Sequence, residues 1–299
     1  MIELKQVFKQ IGKKNIIDNM SFTLEDGHIL GLVGSNGAGK STLLRLLSGI
    51  YKQDSGEITV DGQNVYDNVA TKESIFFIND ETVQFNNYTI PELKNIYKPY
   101  YSNFSEELFQ RLLEITALPL DQKMNRFSKG MKRQAILAIG LSCMTKYLFL
   151  DEAFDGIDQT MRLTVKRILI DAMLDRNLTV IISSHHLFEL NEICDTIMLM
   201  HKGNMLCMRE VDELRNGMSK VEITTQTTMT ETDFKELNIL HFKRTGTSIH
   251  MVVRNKATEI ESLLSHKNLV LVLESILPLT LDEIFVYEME AQGYDSKQI

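Results

Sequence analysis

One short segment near the amino terminus combines the groups needed to hold a phosphate. Residues 34–41 read Gly-Ser-Asn-Gly-Ala-Gly-Lys-Ser, which matches the spacing G-x-x-x-x-G-K-[ST]. Glycines let the backbone curl around an anion, and successive N–H groups at a helix start give that position partial positive charge. Lys40 would reach the β- and γ-phosphates, and Ser41 would give an oxygen to Mg²⁺. The predicted nucleotide-binding residues are Gly34, Ser35, Asn36, Gly37, Ala38, Gly39, Lys40, Ser41 and Thr42.

The flanking sequence places this loop between a strand and a helix. Residues 29–33 form an uninterrupted apolar stretch, which is typical of a strand buried in a parallel sheet. A leucine-rich helical pattern follows directly at 42–47. Because the motif binds phosphate only in a strand–loop–helix context, these flanks separate it from a chance glycine-rich turn.

A pair of carboxylates further along the chain adds groups suited to hydrolysis. Residues 147–152 read Tyr-Leu-Phe-Leu-Asp-Glu, so a predicted strand ends in Asp151 and Glu152. In phosphoryl-transfer sites one such acid holds the Mg²⁺ shell, and a second can orient the attacking water as a general base. Asp151 is therefore a predicted metal ligand and Glu152 a predicted catalytic residue. Taken alone, the pair could equally be a solvated strand end.

Two other segments place polar groups at the ends of predicted elements. Residues 127–134 read Phe-Ser-Lys-Gly-Met-Lys-Arg-Gln and open a helical pattern, so Ser128 and Gly130 can form an anion site at a helix start. Residues 180–185 read Val-Ile-Ile-Ser-Ser-His, a strand pattern that ends in His185. Taken singly, Ser128 fits a plain helix cap, and His185 fits a histidine satisfied within the core.

In order and spacing, these segments resemble the ATP-binding subunits of ABC transporters from residue 1 to about residue 213. The counterparts are residues 34–41 for Walker A, 128–131 for a variant LSGGQ signature, Asp151 for Walker B, Glu152 for the catalytic glutamate, Asp158 for the end of the D-loop and His185 for the switch histidine. Each motif by itself is moderately specific for this family, whereas the complete set in this order is very specific for it.

The resemblance implies the fold class: an α/β protein with a P-loop RecA-like core, an inserted helical subdomain and a small C-terminal α+β domain. The ATPase domain is predicted at 1–215, with the helical subdomain at about 84–140, and the accessory domain at 216–299. Residues 84–140 are dominated by helical periodicity, and strand patterns return after them. Short strand patterns and two helical ones mark the last region.

The resemblance also implies a mechanism. Two subunits would form a head-to-tail dimer, in which Ser128 and Gly130 of one subunit complete the ATP site of the other. Glu152, His185 and Lys40 would be catalytic, and Asp158 would communicate across the interface. ATP and Mg²⁺ are the implied cofactors.

Two positions depart from the family pattern. The first strand usually ends in an aromatic residue that stacks on adenine, and Ile11 stands at that position. Since base stacking on an aromatic ring is worth on the order of 1–3 kcal/mol, weaker base discrimination is expected. After the strand pattern at 74–78 the family usually has glutamine, where this chain has Asp80, whose carboxylate can still bind Mg²⁺ or its water.

Charge, cysteine usage and apolar runs indicate the kind of partner and the cellular compartment of the protein. The chain has 299 residues and a net charge of −8, and no basic stripe stands out, so a nucleic-acid partner is not expected. The three cysteines lack C-x-x-C spacing and are expected to be buried, reduced thiols in the cytosol. No signal-peptide profile precedes the first strand. The longest apolar run, 269–281, contains Glu274 and Pro278, so no membrane span is expected.

The predicted partners are therefore a transmembrane permease subunit and a second ABC subunit, as a homodimer or heterodimer. The protein is expected to be cytoplasmic and peripheral on the inner face of the cell membrane. Residues 281–285, Leu-Asp-Glu-Ile-Phe, resemble the terminal helix of drug, bacteriocin and peptide exporter subunits and favour export. An importer ATPase with a regulatory tail and a soluble ABC-type regulator are the alternatives. The tail itself could be a packing element or a ligand-sensing domain.

Overall fold

The computed structural model describes residues 1–79, 86–152, 154, 157–185, 190, 193–226, 228–266 and 271–291. It divides the chain into two compact units, Met1–Met208 and Arg209–Ile299. The predicted boundary between residues 215 and 216 lies within a helix of the second unit, Val211–Gly217. The roles predicted for the two regions stay predictions. Within the described residues, no helix combines the length and the apolar character that crossing a bilayer requires.

The elements are numbered here in chain order. The strands are β1 (Ile2–Ile11), β2 (Lys14–Leu24), β3 (Ile29–Val33), β4 (Ser55–Val60), β5 (Gln63–Asn64), β6 (Ile75–Ile78), β7 (Tyr147–Asp151), β8 (Thr179–Ser184), β9 (Thr196–His201), β10 (Asn204–Glu210), β11 (Ser219–Thr225), β12 (Ile239–Thr245), β13 (Ser248–Val253) and β14 (Leu271–Pro278). The α-helices are α1 (Lys40–Leu47), α2 (Val69–Glu73), α3 (Ile90–Tyr97), α4 (Glu106–Thr116), α5 (Lys129–Ser142), α6 (Gln159–Arg176), α7 (Val211–Gly217), α8 (Ala257–His266) and α9 (Leu281–Ala291).

A six-stranded sheet in the order β10-β9-β3-β8-β7-β6 forms the centre of the first unit. Strand β3 pairs in parallel with β8 and β9, and β7 pairs in parallel with β6 and β8. Every residue of β3, β7 and β8 is buried. Strands that are covered on both faces have continuous apolar sequences. For this reason the apolar runs predicted the positions of β3 and β7. The predicted P-loop α/β core is confirmed.

A second, antiparallel sheet of the first unit has the order β2-β1-β4-β5. Strands β1 and β2 form a long hairpin that turns at Gly12, which has a φ of 63°. Cross-strand pairing continues along both strands into polar residues that alternate with buried ones. One face of this sheet packs its apolar side chains into a core shared with α1 and β3.

The first two α-helices of the described part of the insertion begin at side chains that cap them. At α3, Thr89 and Glu92 form a capping box, and at α4 the Ser105 hydroxyl accepts from the Leu108 N–H. Helix α5 meets the core at Gly140, where an added Cβ would lie 2.6 Å from the Phe76 ring of β6. The described part of this region, from residue 86, contains helices and turns.

The second unit contains a four-stranded antiparallel sheet in the order β12-β13-β11-β14. With α8 between β13 and β14, this is the order of a ferredoxin-like split β-α-β arrangement. A short 3-10 turn, Glu231–Phe234, stands where that arrangement has its first helix. Helix α8 packs Ile260 and Leu264 into the core of this sheet. Helix α9 begins at a capping box of Thr280 and Glu283.

Candidate nucleotide site

The glycine-rich loop connects the buried strand β3 to helix α1, and its backbone tolerates no larger residue at two positions. A Cβ at Gly34 would lie 2.3 Å from the Met200 carbonyl oxygen. Gly39 has a φ of 107°, and a Cβ there would lie 2.7 Å from the Ile16 carbonyl oxygen. Glycine is therefore required by close packing at the first position, and by packing and left-handed backbone at the second.

The loop encloses one side of a cavity of about 240 Å³. The lining residues are Lys14, Ile16, Asn36, Gly37, Ala38, Gly39, Lys40, Ser41, Thr42 and Glu152. Most of the predicted phosphate-binding residues thus share one cavity with the predicted catalytic carboxylate. The contribution of Lys14 and Ile16 from β2 was not predicted, because a strand residue that borders a site carries no local signal.

Lys40 is held inside the loop by a hydrogen bond to the backbone. The Lys40 residue is 6% exposed, and its ammonium group donates to the Gly34 carbonyl oxygen at 2.6 Å. Burial lowers the pKa of Lys40, and the Glu152 and Asp151 carboxylates oppose that effect. A phosphate entering the cavity would offer this cation a stronger acceptor than a neutral carbonyl.

Ser41 and Asp151 form an oxygen-donor pair beside the cavity, although they are 110 positions apart in the chain. The Ser41 hydroxyl donates to the Asp151 carboxylate at 3.0 Å, and the Ser183 hydroxyl donates to the same oxygen at 2.6 Å. A hydroxyl and a carboxylate are the hard oxygen donors that Mg²⁺ prefers, so the residues present fit that ion. When bound, Mg²⁺ would supply positive charge to the phosphates. Asp80, the third predicted ligand, lies outside the described residues.

Glu152 and His185 contact each other at the ends of neighbouring strands. The distance from His185 Nδ1 to Glu152 Oε2 is 2.7 Å. Glu152 has a φ of 51°, in the left-handed region that non-glycine residues rarely occupy. Its N–H donates to the Ser183 hydroxyl oxygen at 3.0 Å. Glu152 thus lines the cavity and contacts His185 at the same time.

Ser183 links these two predicted roles and was missed by the sequence reasoning. Its hydroxyl donates to Asp151 and accepts from the Glu152 N–H. Asp151 and Ser183 are register partners in the sheet. The only sequence signal was a hydroxyl residue near the end of an apolar strand, which is too common to identify a site.

Ser128, Gly130 and Asp158, which were predicted to act across a dimer interface, do not line this cavity. Ser128 caps α5, where its hydroxyl accepts from the Met131 N–H at 3.2 Å, and Gly130 is buried in the first turn of that helix. Asp158 caps α6 by accepting from the Met161 N–H at 3.0 Å. The local capping roles are therefore present, and the roles across a dimer interface stay predictions.

Ile11 also lies outside the cavity lining. It ends β1, is 47% exposed and pairs in register with Lys14, which does line the cavity. The side chain therefore stands next to the edge of the site without contributing an aromatic ring.

Weak base selectivity is the expected consequence. We predict that the protein hydrolyses GTP at a rate approaching that of ATP, and that Ile11→Tyr tightens ATP binding about tenfold, since stacking on an aromatic ring is worth about 1–3 kcal/mol. Steady-state hydrolysis with both nucleotides, and titration calorimetry with ATP, measure these effects. Ile50→Tyr, at an isoleucine that is 53% exposed elsewhere in the same unit, is the matched control. Exclusion of GTP by orders of magnitude in the wild type would contradict the prediction.

Three features of the central sheet define a P-loop ATPase. They are the strand–loop–helix phosphate cradle, the hydroxyl–carboxylate pair and the glutamate–histidine pair.

The ABC transporter family model matches residues 17–155. Two Bacillus subtilis (strain 168) proteins are similar to this chain. The ABC transporter ATP-binding protein YtrB is 28% identical over 286 residues, covering 96% of this chain and 97% of YtrB. The linearmycin resistance ATP-binding protein LnrL is 31% identical over 214 residues, covering 70% of this chain and 68% of LnrL.

A solved ATP-binding subunit of an ABC transporter has the same fold. It superimposes with a TM-score of 0.66 at 23% identity and covers 72% of this chain and 92% of its own. Proteins named for the import of methionine and of Fe(3+) ions also match, over 72% and 69% of this chain. The chain belongs to the ABC transporter ATP-binding protein family. It is an ATPase of that family, whose members bind ATP, dimerise and work with transmembrane partners.

Proposed function

We propose that this protein is the ATPase subunit of an exporter and hydrolyses ATP at a head-to-tail dimer interface. The observation that carries the proposal is that the phosphate loop, Ser41 and Glu152 line one cavity. Asp151 contacts Ser41, and His185 contacts Glu152, so each lining residue belongs to a pair. The loop supplies charge neutralisation, the first pair supplies metal ligands, and the second pair supplies proton transfer, which are the requirements of phosphoryl transfer to water.

In the proposed reaction the loop amides and Lys40 hold the β- and γ-phosphates of ATP. Glu152 orients a water molecule toward the γ-phosphate and takes its proton, while His185 steadies the glutamate and the phosphate. Ser183 maintains the positions of Asp151 and Glu152 through its two hydrogen bonds. Ser41 and Asp151 are the residues that would hold Mg²⁺.

The cavity is open on one side, and the predicted γ-phosphate contacts Ser128 and Gly130 do not line it. Completion by a second subunit explains this arrangement, since the start of α5 of one subunit would face the loop of the other. ATP then favours the closed dimer by its differential affinity for that state. Asp158, at the start of α6, would lie in the same interface.

The names of two relatives bear on the direction of transport. LnrL is named for linearmycin resistance, and another similar protein is the bacitracin transport ATP-binding protein BcrA of Bacillus licheniformis. These names support export, with peptides or hydrophobic compounds as cargo. In this proposal a transmembrane partner carries the cargo and holds this chain on the inner face of the membrane. The similarity to YtrB extends over both units.

Import is the second candidate, because relatives named for methionine and Fe(3+) import match a comparable share of the chain. Co-purification of the membrane subunit, followed by transport in proteoliposomes with ATP on one side only, separates the two. Cargo accumulation on the side opposite to ATP supports export. Accumulation on the ATP side overturns it and supports import.

The second unit is expected to be dispensable for nucleotide binding. A chain that ends at residue 210 keeps all of β10 and every predicted nucleotide contact. Because the two units have separate apolar cores, we predict that this truncated chain folds and binds ATP with an affinity close to that of the full chain, with weaker dimerisation or altered coupling. Calorimetry with ATP and sedimentation velocity test this. Loss of ATP binding in a folded, truncated protein would show that the second unit belongs to the nucleotide site.

A further inference from the structure

A second cavity of about 330 Å³ lies in the first unit, away from the nucleotide site. It is a groove between α4 and α6, closed at one end by the last turn of α5. None of its lining residues belongs to the phosphate loop, to the ends of β7 and β8, or to the start of α5. The groove is therefore not part of the catalytic site described above.

The floor and walls of this groove are apolar. Leu112 and Leu141 are 2% and 1% exposed and form its base. Ile168 and Ala172 of α6 are half-buried on one side, and Ile115 of α4, which is 40% exposed, stands on the other. An apolar molecule placed there would remove these surfaces from water, which is the main source of affinity in small-molecule sites.

The rim of the groove carries an excess of negative charge. Glu107, Asp171 and Asp175 are exposed on the rim, and in the described parts of the chain none of them forms an ion pair. Asp171 and Asp175 are four residues apart on α6, a spacing at which like charges destabilise a helix. A cation in the groove would offset that repulsion.

The two arginines of the groove do not balance these carboxylates. Arg176 donates to the carbonyl oxygens of Thr145 and Leu141 at 3.1 and 3.4 Å, so its guanidinium closes the end of the groove. Arg111 is exposed on α4, so the lining has two guanidinium groups against three carboxylates. The net charge of the rim remains negative, and its potential favours a positively charged ligand.

We propose that this groove binds a small amphipathic organic monocation, with the apolar part on Leu112, Leu141 and Ile168 and the ammonium group beside Asp171 and Asp175. Such a ligand would bridge α4, in the helical insertion, and α6, in the core. It would thereby bias the position of the insertion that carries Ser128. The binding site is independent of the proposed direction of transport.

Three probes of matched shape test the charge preference on the full-length protein. Tryptamine carries an ammonium group, tryptophol a neutral hydroxyl and indolepropionic acid a carboxylate. Met144 lines the groove, so the ring current of a bound indole shifts its methyl resonance in protein labelled at the methionine methyl groups. The resonance is assigned with Met144→Leu. We expect saturable shifts with tryptamine at a Kd on the order of 1 mM, at least about threefold weaker binding of tryptophol, and no binding of the acid.

Variants of the rim and the wall locate the site. Asp171→Asn with Asp175→Asn is expected to reduce tryptamine affinity about fivefold, to the level of tryptophol. Glu114→Gln, an exposed carboxylate of α4 outside the groove lining, is the matched control and should change nothing. Ala172→Phe fills the groove and should abolish binding of both probes. Glu107→Gln provides a second rim variant if the double variant does not fold.

Several results would overturn the proposal. These are equal binding of all three probes, an unchanged tryptamine affinity in the rim variants, or shifts confined to methionines other than Met144. Because the readout is a resonance shift, a failure of the ATPase mechanism leaves it unaffected. Conversely, if the protein hydrolyses ATP normally and binds none of the probes, the proposed cation site is wrong and the proposed ATPase function is unaffected.

Discussion

Replacing Glu152 with glutamine is expected to slow ATP hydrolysis by about 10²–10⁴-fold while ATP binding persists. Glutamine keeps the size and polarity of the side chain, and with them a hydrogen bond to His185, now 2.7 Å away. It cannot accept a proton from water. Because Lys40, Ser41 and Asp151 are unchanged, the phosphate and metal contacts remain. Release of inorganic phosphate in steady state and calorimetric titration with ATP measure the two effects.

The same substitution tests the dimer, because a subunit that binds ATP without hydrolysing it should accumulate in the closed state. We expect an ATP-dependent shift from monomer to dimer in gel filtration. Adding Ser128→Arg should abolish that shift, since a large cation at the start of α5 blocks the facing γ-phosphate. Normal hydrolysis by Glu152→Gln would refute the assignment of the base. A protein that stays monomeric at saturating ATP would mean that closure requires the membrane partner.

Lys40→Ala is expected to remove ATP binding and hydrolysis together. The ammonium group is buried in the loop and is the cation of the phosphate cradle. Loss of one partner of a buried charge pair costs about 2–5 kcal/mol, which corresponds to a decrease in affinity of roughly 30-fold or more. Calorimetry, or displacement of a fluorescent nucleotide, measures the loss directly.

Two controls make the Lys40 result interpretable. Lys13→Ala removes an exposed lysine of the β1–β2 turn, outside the cavity lining, and should leave ATP binding unchanged. Thermal unfolding checks the fold, because the substitution also removes the donor to the Gly34 carbonyl. ATP affinity within about twofold of the wild type in a folded Lys40→Ala protein would contradict the role of this side chain.

Several features of the site were predictable because they depend on residues that are neighbours in the chain. The phosphate loop is a local motif, and the apolar runs around it identify the strand and helix that it requires. The starts of α3, α4, α5 and α9 were also predictable, since a capping side chain bonds to an N–H within the next three residues. The ordered motifs were sufficient to identify the family and the predicted catalytic residues.

Tertiary structure decided what depends on residues far apart in the chain. The register of β7 with β8 brings Ser183 to Asp151 and Glu152, and no local pattern specifies which strands pair or where. The order of the four strands in the second unit is undetermined by their individual patterns for the same reason. The groove between α4 and α6 also depends on tertiary structure, because α5 and β7 separate these two helices in the chain. Local sequence determines the elements, because their hydrogen bonds and caps are local, while long-range packing determines which of their side chains meet.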